Sequence, residues 1–247
     1  GKSIAYIVAG IFLSVLVNAG TLWTTYEYGK ETIRGKSNLT KTDDSGNAGS
    51  GLDKEYAYAW SQGIGENITF LIPNAYGGRS SGVLDEKSNV VKALTKVGAP
   101  QAEAVQMARS YFPTYWGEKS FTSGPWYFGA GIVFLAILGL FIVKNRLKWW
   151  ILTATVLAIL LSFGRHFPLI SDLFFDYFPM YNKFRAVESI LVIPAVLIPI
   201  LAVLTINELI VRGNEIPKLD KTILYTGGAV AAVCLIVALM PSVLDLR

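Results

Sequence analysis

The chain carries one cysteine, Cys234, and one histidine, His166, in 247 residues. A lone cysteine excludes an intrachain disulfide, and a single residue of each type excludes a His/Cys metal cluster. Any metal bound here would be a hard cation held by carboxylates. No glycine-rich nucleotide loop, heptad pattern or internal repeat is present, and no series of alternating segments is long enough for a sheet domain. Charge is scarce as well, at 16% of residues against 52% hydrophobic, with a mean hydropathy of +0.43. The net charge of +4 is spread along the chain without a continuous basic stripe, so no nucleic-acid partner is expected.

What the sequence does have is a row of apolar segments near bilayer length. Residues 4–22, 127–143, 149–163, 190–211 and 223–240 approach the roughly 20 apolar residues that cross a hydrocarbon core. The third is short and needs Trp149, Trp150 or neighbouring protein to complete it. The expectation is an all-α, polytopic membrane protein of about five transmembrane helices. Residues 1–22 form the first span, 127–163 and 190–247 form two hairpins, and 23–126 and 164–189 form loop regions.

Sidedness follows from the basic residues. Lys144, Arg146 and Lys148 fill one short connection, and Arg212, Lys218 and Lys221 follow the fourth segment, which places both in the cytoplasm. Alternation then puts Lys2 inside and residues 23–126, 164–189 and 241–247 outside. Arg165, Lys183 and Arg185 in an outer connection weaken the bias without reversing it. Lys2 leads into a run of bilayer length with no cleavage site, so a signal peptide is not expected. The abrupt ends point to a segment of a longer protein.

Within the outer region, residues 42–51 are turn-rich, and residues 53–61 read as a short helix with Tyr56, Ala57 and Trp60 on one side. Residues 59–78, AWSQGIGENITFLIPNAYGG, are too short to cross a membrane and suit a re-entrant or interfacial segment. Amphipathic helices are expected over 87–96 and 100–111, the second with Ala104, Met107, Ala108 and Tyr111 at helical spacing. The sequons at Asn38 and Asn67 are chance-level matches.

Three clusters carry the candidate chemistry. Glu66 lies beside an apolar run, where a carboxylate can serve in acid/base work or acceptor binding, or simply cap a helix. In PTYWGEKSFTSGPWY, residues 113–127, Trp126 and Tyr127 suit an interfacial belt, whereas Tyr115 and Trp116 are candidates for sugar stacking or a headgroup wall. In residues 164–189, Asp172 and Asp176 share one face of a helix opened by Pro168, flanked by Arg165, His166, Lys183 and Arg185. Those carboxylates either face a cavity or fix a loop through salt bridges. Arg185 likewise either meets a phosphate or pairs with Asp176 or Glu188.

The pieces AWSQGIGENITFLIPNAYGG, PTYWGEKSFTSGPWY and FFDYFPMYNKFRAVESILVIP, in that order and with a hydrophobic span between, resemble the bacterial YfhO family of polytopic membrane proteins, especially its Bacteroidetes-type members. The run from Pro179 to Arg185 is the most specific part of the likeness. That family is similar to GT-C glycosyltransferases, which take a sugar from a polyprenyl-phosphate carrier on the outer face of the membrane. The resemblance implies a multi-pass protein of the bacterial cytoplasmic membrane with its large loop extracytoplasmic. Its partners would be a polyprenyl-phosphate sugar, membrane lipids and an envelope glycopolymer acceptor. GT-C enzymes usually place their catalytic acid in the first outer loop; the expectation is that this chain begins after that loop, and no catalytic residue is assigned. The donor phosphate would fall to Arg185 and Lys183 with Arg165 and His166, since a departing anion needs cations at headgroup depth. No cofactor is expected, with a divalent cation left open. The competing expectation is a transporter or flippase subunit, which would carry ionisable residues inside its spans.

Overall fold

The computed structural model describes residues 2–32, 51–110, 113–119, 124 and 126–239. Most of the turn-rich patch, the Asn38 sequon, Tyr111, Phe121 and residues 241–247 lie outside the described residues. The described part is helical, and its strand-like pairing is a single bridge between Gly77 and Tyr115. The chain divides into two compact units, residues 1–57 with 175–185, and residues 58–174 with 186–247.

The smaller unit begins with α1 (Lys2–Val17) and α2 (Ala19–Lys30). A single straight span over residues 4–22 does not form. The Asn18 side chain donates to the Ser14 carbonyl at 2.8 Å, competing there with the Asn18 N–H at 3.3 Å, and the two helices meet at a 65° bend. Helix α2 then continues past residue 22 to Lys30. α3 (Lys54–Tyr58) is started by Asp53, whose carboxylate accepts from the Tyr56 N–H at 3.0 Å. Its buried side is Ala57 and Tyr58, with Tyr56 exposed, a rotation from the face expected. The Leu52 N–H donates to the Asn182 carbonyl at 2.9 Å, which joins this region to the 3-10 turn Tyr181–Lys183.

The larger unit contains two small amphipathic helices and a layer of long apolar ones. α4 (Asn89–Lys96) is capped by the Ser88 hydroxyl, and it packs Val91 against Ala104 and Ala108 of α5 (Gln101–Arg109). Met107 points away from that contact and is exposed.

The layer consists of α6 (Ala130–Ile142), α7 (Leu147–Ser162), α9 (Val192–Arg212) and α10 (Leu219–Leu239), with α8 (Pro168–Tyr177) connecting α7 toward α9. α6 and α9 run antiparallel. Phe128 and Leu191 share a core cluster at one end, Gly139 packs on Thr205 and Leu201 midway, and the Lys144 N–H meets Glu208 at the other. A Cβ on Gly139 would overlap Thr205 Oγ1, so the small residue is what lets the two backbones approach. Ala136, Val143, Ile151 and Leu201 close the core between α6, α7 and α9.

Helix length separates the apolar elements. The stretch Val187–Glu215, which contains α9, and α10 are long and apolar enough to cross a membrane, and the bent α1–α2 pair makes a third if it is one span. At 1.5 Å per residue α9 and α10 each reach about 31 Å, matching the ~30 Å hydrocarbon core. α6 has 13 residues and α7 has 16, about 20 and 24 Å, so these expected spans are shorter than the segments read from hydropathy. Gly129, at φ +98°, keeps residues 127–129 out of α6, and Val143 is already extended.

Candidate functional site

The layer has two unlike ends. At one end lie Lys144, Arg146 and Lys148 before and at the start of α7, together with Glu208 and Arg212, whose side chains meet at 3.2 Å. At the other end the chain forms three short 3-10 segments, Gly65–Phe70, Gly164–His166 and Val187–Leu191. These converge with residues 115–119 on a buried polar cluster.

Glu66 is its first member, with a side chain only 3% exposed. Its Oε1 accepts from the N–H groups of Gly63 and Glu118, each at 3.2 Å. Its Oε2 accepts from the Tyr115 hydroxyl at 2.8 Å and lies 3.6 Å from Lys119 Nζ. Tyr115 in turn accepts from the Lys119 N–H at 3.2 Å, so one phenol oxygen joins the carboxylate to the segment that carries the lysine.

Lys119 is the second member, its side chain 1% exposed, and its Nζ stands 2.5 Å from Glu188 Oε2. Glu188, with 15% of its side chain exposed, also accepts from Trp126, and its N–H donates to the Trp60 carbonyl at 3.3 Å. Two carboxylates and one ammonium therefore share a site largely removed from water. A lysine is buried at such a point only when paired, and here it bridges two acids from different parts of the chain.

A second, more exposed set of contacts lies alongside. The Arg165 guanidinium donates to the Glu118 carbonyl at 2.6 Å, and His166 Nδ1 is 3.2 Å from the Glu118 carboxylate. Gly164 makes this arrangement possible. Its φ is +44°, and a Cβ there would overlap Ser61 Oγ and crowd Val187 Cγ2 at 2.8 Å. The same Ser61 hydroxyl accepts from the Arg165 N–H at 3.1 Å and donates to the Tyr58 carbonyl at 2.8 Å. The Gln62 N–H reaches the Ser162 carbonyl at 2.8 Å, which fixes the outer segment to the end of α7.

The residues singled out from sequence are divided by this geometry. Glu66, Tyr115, Arg165 and His166 belong to the site, all within the larger unit. Tyr115 is committed to Glu66 through its hydroxyl, whereas the Trp116 ring lies over Gly77 and remains 54% exposed, so only the second presents an open aromatic face. Asp172 accepts from the Tyr58 hydroxyl at 3.0 Å, and Asp176 lies 3.6 Å from Lys54 in the smaller unit, an arrangement of loop-fixing contacts. Lys183 and Arg185 also lie in the smaller unit, where Arg185 donates to the Tyr56 hydroxyl at 2.6 Å and stands over its ring. In the same unit burial pushes the Tyr181 hydroxyl up to about 12, so it stays protonated throughout the physiological range.

Lys119 was missed by sequence reasoning, and Glu188 entered only as a salt-bridge partner for Arg185. The available signal was a lysine inside an aromatic, glycine-flanked piece and an acid two residues before an apolar run. Among the described residues no group of three or more His, Cys, Asp or Glu side chains is placed to hold a metal ion. Comparison of the chain with protein-family models, curated proteins and solved structures gives no match.

Proposed function

We propose that this protein is a membrane-embedded glycosyltransferase, or a segment of one, that moves a sugar from a polyprenyl-phosphate donor to an envelope glycopolymer or lipid. The observation that carries the reading is the Glu66–Lys119–Glu188 cluster beside Arg165 and His166, at the end of an apolar helix layer opposite its basic end. The resemblance to YfhO-type proteins, and through them to GT-C enzymes, supports the same reading.

In this reaction the acceptor hydroxyl oxygen bonds to the sugar's anomeric carbon, the bond from that carbon to the phosphate oxygen breaks, and polyprenyl phosphate leaves with the electron pair. The hydroxyl proton passes to a base. Positive groups near the leaving phosphate favour the charge that develops there, and Arg165 at the rim suits that role through bidentate contact. His166 is a second donor beside it. Among the cluster's carboxylates Glu188 retains some exposure and suits the acceptor hydroxyl, while Glu66 is already filled by four partners and suits holding Tyr115 and Lys119 in place. The reading puts this end on the extracytoplasmic face and the Lys144–Arg146–Lys148 end in the cytoplasm, with α6 and α7 completed as spans by flanking residues.

A transporter would be expected to place ionisable groups midway along its spans. In α6, α7, α9 and α10 such residues lie near helix ends, and Glu208 is tied to Arg212. That favours the transferase. The test is sugar transfer by the full-length protein in proteoliposomes with a radiolabelled polyprenyl-phosphate sugar. Arg165→Gln should raise the donor KM at least tenfold with a smaller change in kcat, and an unchanged KM would remove Arg165 from the donor site.

A further inference from the structure

Away from the charged cluster, the segment that carries Tyr115 also builds a polar groove. Tyr76–Gly78 pairs with it through the Gly78 N–H to the Thr114 carbonyl at 3.1 Å and the Trp116 N–H to the Tyr76 carbonyl at 3.2 Å. Gly77 holds φ +81°, and a Cβ there would overlap the Thr114 carbonyl and press on the Trp116 ring. The loop then wraps Thr114, whose hydroxyl donates to the Arg79 carbonyl at 2.6 Å, and a Cβ on Gly82 would come within 3.2 Å of its methyl group. The result is an open groove of about 730 Å³ with Arg79, Ser80, Ser81, Ser110 and Thr114 among its walls.

Three features of this groove point to one ligand chemistry. Its hydroxyls and the backbone of half-buried Gly78 and Gly82 are donors and acceptors at the scale of a sugar's own hydroxyls. Arg79 is exposed, and none of the salt bridges among the described residues involves it, so its guanidinium is available to a carboxylate or phosphate. The open face of Trp116, stacked over Gly77 next to the groove's Gly78, offers an apolar platform for the C–H side of a sugar ring.

We propose that this groove binds an anionic saccharide, with Arg79 on the acidic group, the Ser and Thr hydroxyls on the ring hydroxyls and Trp116 beneath the ring. As an acceptor subsite the groove rests on the transferase reading, but binding itself does not need donor or catalysis.

The experiment is calorimetric titration of the full chain in detergent with an oligogalacturonate, with glucose 1-phosphate and with neutral maltohexaose. Arg79→Gln removes the charge, and Val83→Trp fills the groove from a position 72% exposed, so neither should disturb folding. Binding of at least one anionic probe, tenfold or more tighter than maltohexaose and weakened at least tenfold by each variant, is the expected result. The oligogalacturonate and glucose 1-phosphate arms separate carboxylate from phosphate recognition. Equal affinity of the neutral probe, no binding of either anion, or affinities untouched by both variants would overturn the proposal. Absence of sugar transfer with intact groove binding would instead remove the transferase reading and leave the groove as a saccharide site.

Discussion

Lys119 Nζ lies 2.5 Å from Glu188 Oε2 and 3.6 Å from Glu66 Oε2, with both lysine and Glu66 side chains nearly inaccessible to water. One ammonium thus joins the segment at residues 115–119 to the 3-10 helices Gly65–Phe70 and Val187–Leu191, the second of which leads into α9. Lys119→Met leaves two buried carboxylates facing each other without a cation, and breaking a buried pair in this way costs about 3–5 kcal/mol. Thermal unfolding in detergent should show a large loss for Lys119→Met and partial recovery in Lys119→Met with Glu188→Gln. An additive double variant would mean the two groups do not interact.

Gly164 is predicted to tolerate no side chain. Its left-handed backbone costs an alanine about 1–3 kcal/mol, and the overlap with Ser61 Oγ and Val187 Cγ2 adds to that. Gly164→Ala should lower thermal stability clearly, and adding Ser61→Gly should recover only part, because the backbone term remains. Full recovery would show that the clash alone decides.

A matched pair of glycines tests the helix layer. Gly139→Ala pushes a methyl into Thr205 and should destabilise α6 against α9 by about 1–3 kcal/mol. Gly227→Ala in α10 meets only Phe134 Cε2, at 3.6 Å, and should be neutral or slightly stabilising through better helix propensity. The reverse ranking in a thermal-shift series would contradict the α6–α9 contact.

Much of this layer was legible from hydropathy, because α9 and α10 are uninterrupted apolar runs whose lengths match the bilayer. The breaks were less so. Hydropathy treats residues 4–22 as one segment, yet the axis bends at Asn18, whose side chain shares the Ser14 carbonyl with its own N–H, and hydropathy cannot see that Gly129 takes a positive φ. The short helices α4 and α5 followed from amphipathic spacing and α8 from Pro168. At the site, Glu66, Arg165 and His166 stood out as charges in unusual surroundings, but their partners come from segments tens of residues away, and the local settings of Lys119 and Glu188 do not by themselves show that the two meet. For Asp172 and Asp176 helical spacing gave a shared face of α8 but could not choose between a cavity and loop-fixing contacts, and their neighbours, Tyr58 and Lys54, come from a distant part of the chain.

Sidedness gives a prediction independent of chemistry. In a Cys234→Ser background, cysteines introduced at Asn145 and Lys218 should react with an impermeant maleimide only after the cytoplasmic face is opened, and a cysteine at exposed Val83 should react from outside. Labelling of all three from one side would reject the topology.

The central claim is that the protein transfers a sugar rather than moving a lipid-linked one across the membrane. Sealed proteoliposomes containing the full-length protein, a radiolabelled polyprenyl-phosphate sugar and an externally added acceptor glycan separate the two by where the label ends. The expected result is label covalently attached to the acceptor, at a rate that Arg165→Gln cuts at least tenfold when the donor is well below its KM. Label that changes leaflet while remaining on the polyprenyl carrier, with none on the acceptor, would contradict it.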